Sequence, residues 1–125
     1  MAKRDDKDAE VPADKPVEEQ ARQQTGRQKV RVRIDERNMN TSYANAFRTN
    51  GTAEEVMLDF GLNLVGPPSR EGDQAEIIFR VNNRVILNYY SAKRLALTLS
   101  QLLRRHEEQF GELELDVAKR RKDAV

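Results

Sequence analysis

The sequence predicts an α+β fold: an antiparallel sheet of about four strands, with one long C-terminal amphipathic helix packed on one face. Three observations carry this. Val30–Ile34, Tyr43–Val65 and Ala75–Tyr89 alternate apolar and polar residues with the period of two that marks half-buried strands. Asn50-Gly51 lies within the second of these stretches, and Asn-Gly is the preferred pair for a tight type I′ hairpin turn. From Ala92 to Phe110 apolar residues recur at three- and four-residue steps, as on one face of a helix.

Met1 to Gln28 reads as a disordered charged tail. It has two prolines, no aromatic residue, and only Val11 and Val17 as branched apolars, too little to offset its ordering entropy. Val30, Val32 and Ile34 then point inward from a strand that turns Arg31 and Arg33 outward. The run from Asp35 to Thr41 is turn-like. With Asn50-Gly51 as the loop, Thr49 pairs with Thr52, Phe47 with Glu54, Asn45 with Val56 and Tyr43 with Leu58. One face of the hairpin then holds Tyr43, Phe47, Val56, Leu58, Phe60, Leu62 and Leu64. The other holds Ala44, Ala46, Arg48, Glu55, Met57, Asp59, Gly61 and Asn63.

Gly66 to Asp73 is a loop by composition. Two readings of Ala75–Tyr89 compete, and the continuous apolar phase favours the second. Asn82-Asn83 is a second tight turn, or the stretch is one long strand of roughly 50 Å, bent or bulged near Asn82-Asn83. In the second reading Ala75, Ile77, Phe79, Val81, Val85, Leu87 and Tyr89 share a face, interrupted only by Asn83. Ser91 is the expected N-cap of the helix and Gly111 its C′ stop. Glu112 to Val117 reads as a short strand or frayed helix, and the residues after it as a charged tail. The organisation is therefore a tail over 1–28, a single α+β domain over 29–111, and a charged C-terminal tail over 112–125.

Composition narrows the function. There are 22 basic and 21 acidic residues, so no global charge draws the chain to nucleic acid or to an anionic membrane. There is no cysteine, which removes thiolate metal sites, disulfides and thiol catalysis. With no apolar h-region at the start and no long apolar run, neither a secretory signal nor a membrane partner is expected, and the location expected is cytoplasmic. Aromatics are 6% of the residues and charges 34%, so the core is small and self-association is one way to complete it.

Tyr43-Ala44-Asn45, Phe47, Thr52 through Glu55, Leu58-Asp59-Phe60-Gly61, Arg84-Val85-Ile86-Leu87, Ala92-Lys93-Arg94-Leu95 and Glu108-Gln109-Phe110-Gly111 follow one another in a combined pattern. In that order they resemble a family of short bacterial and archaeal proteins catalogued only as a domain of unknown function. The resemblance spans Val30 to Gly111. It implies a shared fold and carries over no catalytic residue. In architecture alone, a few antiparallel strands followed by a long amphipathic helix is similar to the export chaperone SecB, which implies binding of extended polypeptide.

No catalytic constellation emerges, so the chain does not read as an enzyme and no cofactor is expected. His106, the single histidine, lies on the apolar helix stripe and reads as a partly buried helix residue. Glu55 and Asp59 stand about 13 Å apart along a strand and read as a solvated or interface-rim face. Gly61 marks a bulge or a close approach rather than a phosphate loop. The polar positions that geometry leaves unexplained are Asn45, Asp59 and Asn63. Arg104 and Arg105 are candidate phosphate contacts, but they lack the stacking aromatics of a single-strand binder.

Met57, Ile78, Ile86 and Tyr90, set among charged residues, form a candidate interface. The first functional reading is a non-catalytic, self-associating interaction or assembly module, a homodimer whose principal partner is itself. The alternatives are a SecB-like chaperone and a nucleic-acid-binding accessory.

Overall fold

The computed structural model describes residues 14–66 and 74–122. In order, these form α1 (Asp14–Thr25), β1 (Ala46–Gly51), β2 (Glu55–Gly66), β3 (Glu76–Asn88), α2 (Tyr89–Phe110) and α3 (Val117–Arg120). The fold is α+β, with an antiparallel sheet in the order β1-β2-β3. The sheet has three strands rather than four, because Val30–Ile34 forms no strand. The chain divides into two compact units, Met1–Tyr89 and Tyr90–Val125.

In the first unit, α1 occupies part of the segment expected to be a disordered tail; residues 1–13 of that tail lie outside the described residues. Local interactions account for the helix. Pro16 falls in the first turn, where a missing N–H breaks no intrahelical bond. Glu19 pairs with Arg22 one turn on. The amide of Gly26, at a positive φ of 75°, donates to the Arg22 carbonyl at 2.8 Å and closes the C-terminus.

The hairpin turns later than Asn50-Gly51. Both residues belong to β1, Gly51 has no positive φ, and the strands reverse between Thr52 and Glu55. Thr52 organises this reversal. Its amide donates to the Glu55 carbonyl at 2.9 Å, and its Oγ1 accepts the amides of Glu54 and Glu55 at 3.2 and 3.1 Å. Phe47 therefore pairs with Phe60 and Thr49 with Leu58. The register is displaced by an even number of residues from the expected one, so every side chain keeps its expected face. Tyr89 ties the far end of β3 to this turn, its hydroxyl donating to the Thr52 carbonyl at 2.7 Å.

β3 is one long strand carrying a bulge. Phe60 pairs with Asn83 and Gly61 with Val81, so Asn82 is the extra residue. The bulge reverses the facing of the strand. Val85 and Leu87 lie on the face of Val56, Leu58 and Phe60. Ile77, Phe79 and Val81, expected on that same face, lie instead with Met57, Asp59 and Arg84.

α2, which belongs to the second unit from Tyr90 on, begins at Tyr89, which places Ser91 inside the first turn rather than at the cap. Gly111 ends the helix as expected, with φ 96° and its amide on the Glu107 carbonyl at 2.8 Å. Residues 111–116 are irregular, neither strand nor helix, and Asp116 caps α3 by accepting the Ala118 amide at 3.0 Å. α2 has no buried residue, and Leu99, Leu102, Leu103 and Phe110 of its apolar stripe are exposed.

Candidate functional site

A cluster of three charged side chains is built across all three strands. The register sets Arg48 of β1 and Arg84 of β3 on either side of Asp59, in the middle strand. Arg84 donates from Nε to Asp59 Oδ1 at 2.7 Å and from a terminal nitrogen to Oδ2 at 3.0 Å. Arg48 donates from Nε to Oδ2 at 2.8 Å. Asp59 is 2% exposed and is the buried charged residue among those described, while both guanidinium groups stay largely in solvent.

The hydrogen bonds from Arg84 and then Arg48 hold the Asp59 carboxyl well below the usual carboxylate range. Burial pushes the other way but is the smaller effect. The Asp59 carboxylate in turn raises the pKa of Arg84. A carboxylate saturated by two cations is a poor proton acceptor at neutral pH, so the cluster fastens strands rather than moving protons. It retains one surplus positive charge, on the face that also carries Met57 and Ile86.

Asn45 fastens the same sheet beside β1. Its amide donates to the Gly61 carbonyl at 3.0 Å and its Oδ1 accepts the Asn63 amide at 2.9 Å. It faces Gly61 and Asn63 rather than Val56, and its amide oxygen has the partner its position requires. Gly61 sits at a close approach of β2 to β3: a Cβ there would lie 1.9 Å from the Arg80 carbonyl oxygen.

Of the candidate interface residues, Met57 and Ile86 are direct register partners. Ile78 pairs with Leu64 on the opposite face, because the bulge lies between it and Ile86. Tyr90 belongs to the second unit and is 77% exposed. Arg104 and Arg105 are exposed on α2. His106 is exposed rather than partly buried and stacks on Phe110, with ring centroids 4.9 Å apart. Among the described residues no group of three His, Cys, Asp or Glu side chains could hold a metal ion, and no helix is long and apolar enough to cross a membrane.

Sequence reasoning placed Asp59 on a solvated or rim face and missed its burial. The available signals were Arg48 on the same hairpin face and Arg84 on the outer sheet face with Met57; that both flank Asp59 becomes visible only with the strands in register.

A family model described as a protein of unknown function (DUF3467) matches residues 1–115. The chain belongs to this family. The family match takes in the charged segment before Val30, which lay outside the resemblance read from the sequence. No curated protein and no solved structure matches the chain, and the likeness to SecB has no support.

Proposed function

We propose that the protein is a non-catalytic assembly module that associates with itself as a two-fold homodimer. One observation carries this reading: among the described residues not one hydrophobic side chain is buried. Apolar side chains are exposed on both faces of the sheet, with Phe47 at 70% on one and Ile77 at 63% on the other, and along α2, where Leu102 is at 52%. A three-stranded sheet gains independent stability from covering an apolar face. Fully burying one large apolar side chain is worth about 1.5–3 kcal/mol. A second copy supplies that cover with a surface of matching character, and a two-fold axis closes the assembly without leaving a new sticky surface.

Size-exclusion chromatography with light scattering at micromolar concentration tests the reading. The expected result is twice the chain mass; a mass of 14.4 kDa overturns it.

A further inference from the structure

We infer that Val30–Arg33 of one copy pairs as an antiparallel β-ribbon with Glu112–Leu115 of a second copy, an inference that rests on the self-association proposed above. Both segments alternate apolar and charged residues, the pattern of a strand, and neither is a strand in the single chain. Their charges are opposite, and each segment carries one sign only. Lys29, Arg31 and Arg33 alternate with Val30 and Val32, whereas Glu112, Glu114 and Asp116 alternate with Leu113 and Leu115. Among the described residues no ion pair uses any of these charged side chains. Nor does any hydrogen bond use a backbone group of Val30 through Arg33. Leu113 and Leu115 are 42% and 87% exposed. Each segment therefore offers what the other lacks: a ladder partner, an apolar neighbour and a counter-charge.

Bonds already present in the chain select the register and the direction. With Arg31 opposite Glu114 and Arg33 opposite Glu112, Val30 meets Leu115 and Val32 meets Leu113. Charges then lie on one face of the ribbon and apolar side chains on the other, and Lys29 falls opposite Asp116. In an antiparallel ladder only alternate pairs exchange backbone hydrogen bonds. Leu113 fits a non-bonded pair, because its amide already donates to Glu107 Oε2 at 2.9 Å. The bonded pairs are therefore Arg31 with Glu114 and Arg33 with Glu112, whose backbone groups carry no hydrogen bond in the single chain. Glu114 keeps Oε1 for Arg31, since its Oε2 accepts the Asp116 amide at 3.1 Å. A parallel pairing also opposes the charges, but it sets Arg33 against Asp116, the residue that caps α3, and Ile34 against Val117 inside α3. The antiparallel ribbon stops short of that cap and leaves α3 whole. In a two-fold dimer each copy gives one segment and receives the other, so two identical ribbons form and neither segment stays open. A two-stranded ribbon is marginal alone; here it fastens copies that the exposed apolar side chains bring together.

The absence of native cysteine makes the test clean. Val32→Cys and Leu113→Cys chains are prepared separately, mixed and mildly oxidised. The expected product is a disulfide between the two variants, because a non-bonded antiparallel pair brings its Cα atoms within disulfide reach. Val32→Cys mixed with Leu115→Cys is expected not to link, since diagonal neighbours stand too far apart. Arg31→Glu is expected to weaken dimerisation roughly tenfold, and Arg31→Glu with Glu114→Arg to restore it. A link between Val32→Cys and Leu115→Cys in place of the expected one overturns the antiparallel register. Val32→Cys and Leu113→Cys carried by one chain should give a covalent dimer; closure within a monomer overturns the exchange. A dimer of unchanged mass that links in neither mixture also overturns it, and self-association then stands on another surface. A wild-type chain that runs as a monomer overturns self-association and strand exchange together.

Discussion

Replacing Gly61 by alanine is expected to cost the sheet about 4 kcal/mol, most of a marginal domain's stability. The new Cβ would stand 1.9 Å from the Arg80 carbonyl oxygen, 2.8 Å from the Arg80 carbonyl carbon and 2.9 Å from the Val81 Cα. All three are backbone atoms, so no side-chain rotation relieves the clash. An ordinary carbon–oxygen contact is about 3.3 Å, so β2 and β3 must separate locally by about 1.4 Å. Ladder hydrogen bonds stretched by that much no longer meet hydrogen-bond geometry. Overpacking costs about 1–3 kcal/mol, and each of two lost ladder bonds about 1 kcal/mol. At a urea slope near 2 kcal/mol/M the midpoint falls by about 2 M. The assay is urea unfolding followed by circular dichroism at one fixed protein concentration, since the proposed self-association would make stability depend on concentration. Gly66→Ala is the matched control, because its Cβ meets nothing within 4 Å. A Gly61→Ala protein within about 1 kcal/mol of wild type refutes the close approach.

Two further perturbations probe the polar fastenings. The folded chain holds the Asp59 pKa below its ordinary value, so the unfolded chain binds that proton more readily. The stabilisation is complete above about pH 4, the unfolded value, and is lost as pH falls toward the folded one. The urea midpoints of wild type and Asp59→Asn should therefore differ at neutral pH and converge in acid; a constant difference contradicts the ion-pair account. Asn45→Ala removes the acceptor of the Asn63 amide and is expected to lower stability by about 1 kcal/mol in the same assay, whereas Asn45→Asp retains the acceptor. An Asn45→Ala chain of unchanged stability would leave the residue free for another role.

The α+β class, the hairpin faces, the long third strand and the helix end at Gly111 were readable because each rests on periodicity or on one local residue. What was not readable depends on atoms brought together from distant positions. Asn50-Gly51 has the composition of a tight turn, but the Thr52 hydroxyl takes two amides and moves the reversal onward. The apolar alternation of Val30–Ile34 is satisfied only if a neighbouring strand accepts it, and no ladder reaches it. The alternation in β3 looked continuous because apolar residues stand on both sides of Asn82-Asn83, which hides a reversal of facing. The Arg48–Asp59–Arg84 cluster needs both neighbouring strands in register, and a sequence lists these residues 11 and 25 positions apart.

The bulge also governs where this chain can gain or lose length over evolutionary time. The pairs on either side of Asn82, Phe60 with Asn83 and Gly61 with Val81, already follow one another along β2. Deleting Asn82 would leave every other pair of the ladder unchanged. Deleting a residue between Val85 and Leu87 would draw the preceding stretch along by one, turn Arg84 away from Asp59 and leave that carboxylate half-paired. Asn82 is thus the slack position of an otherwise tightly counted strand, the place where insertions and deletions among relatives should collect.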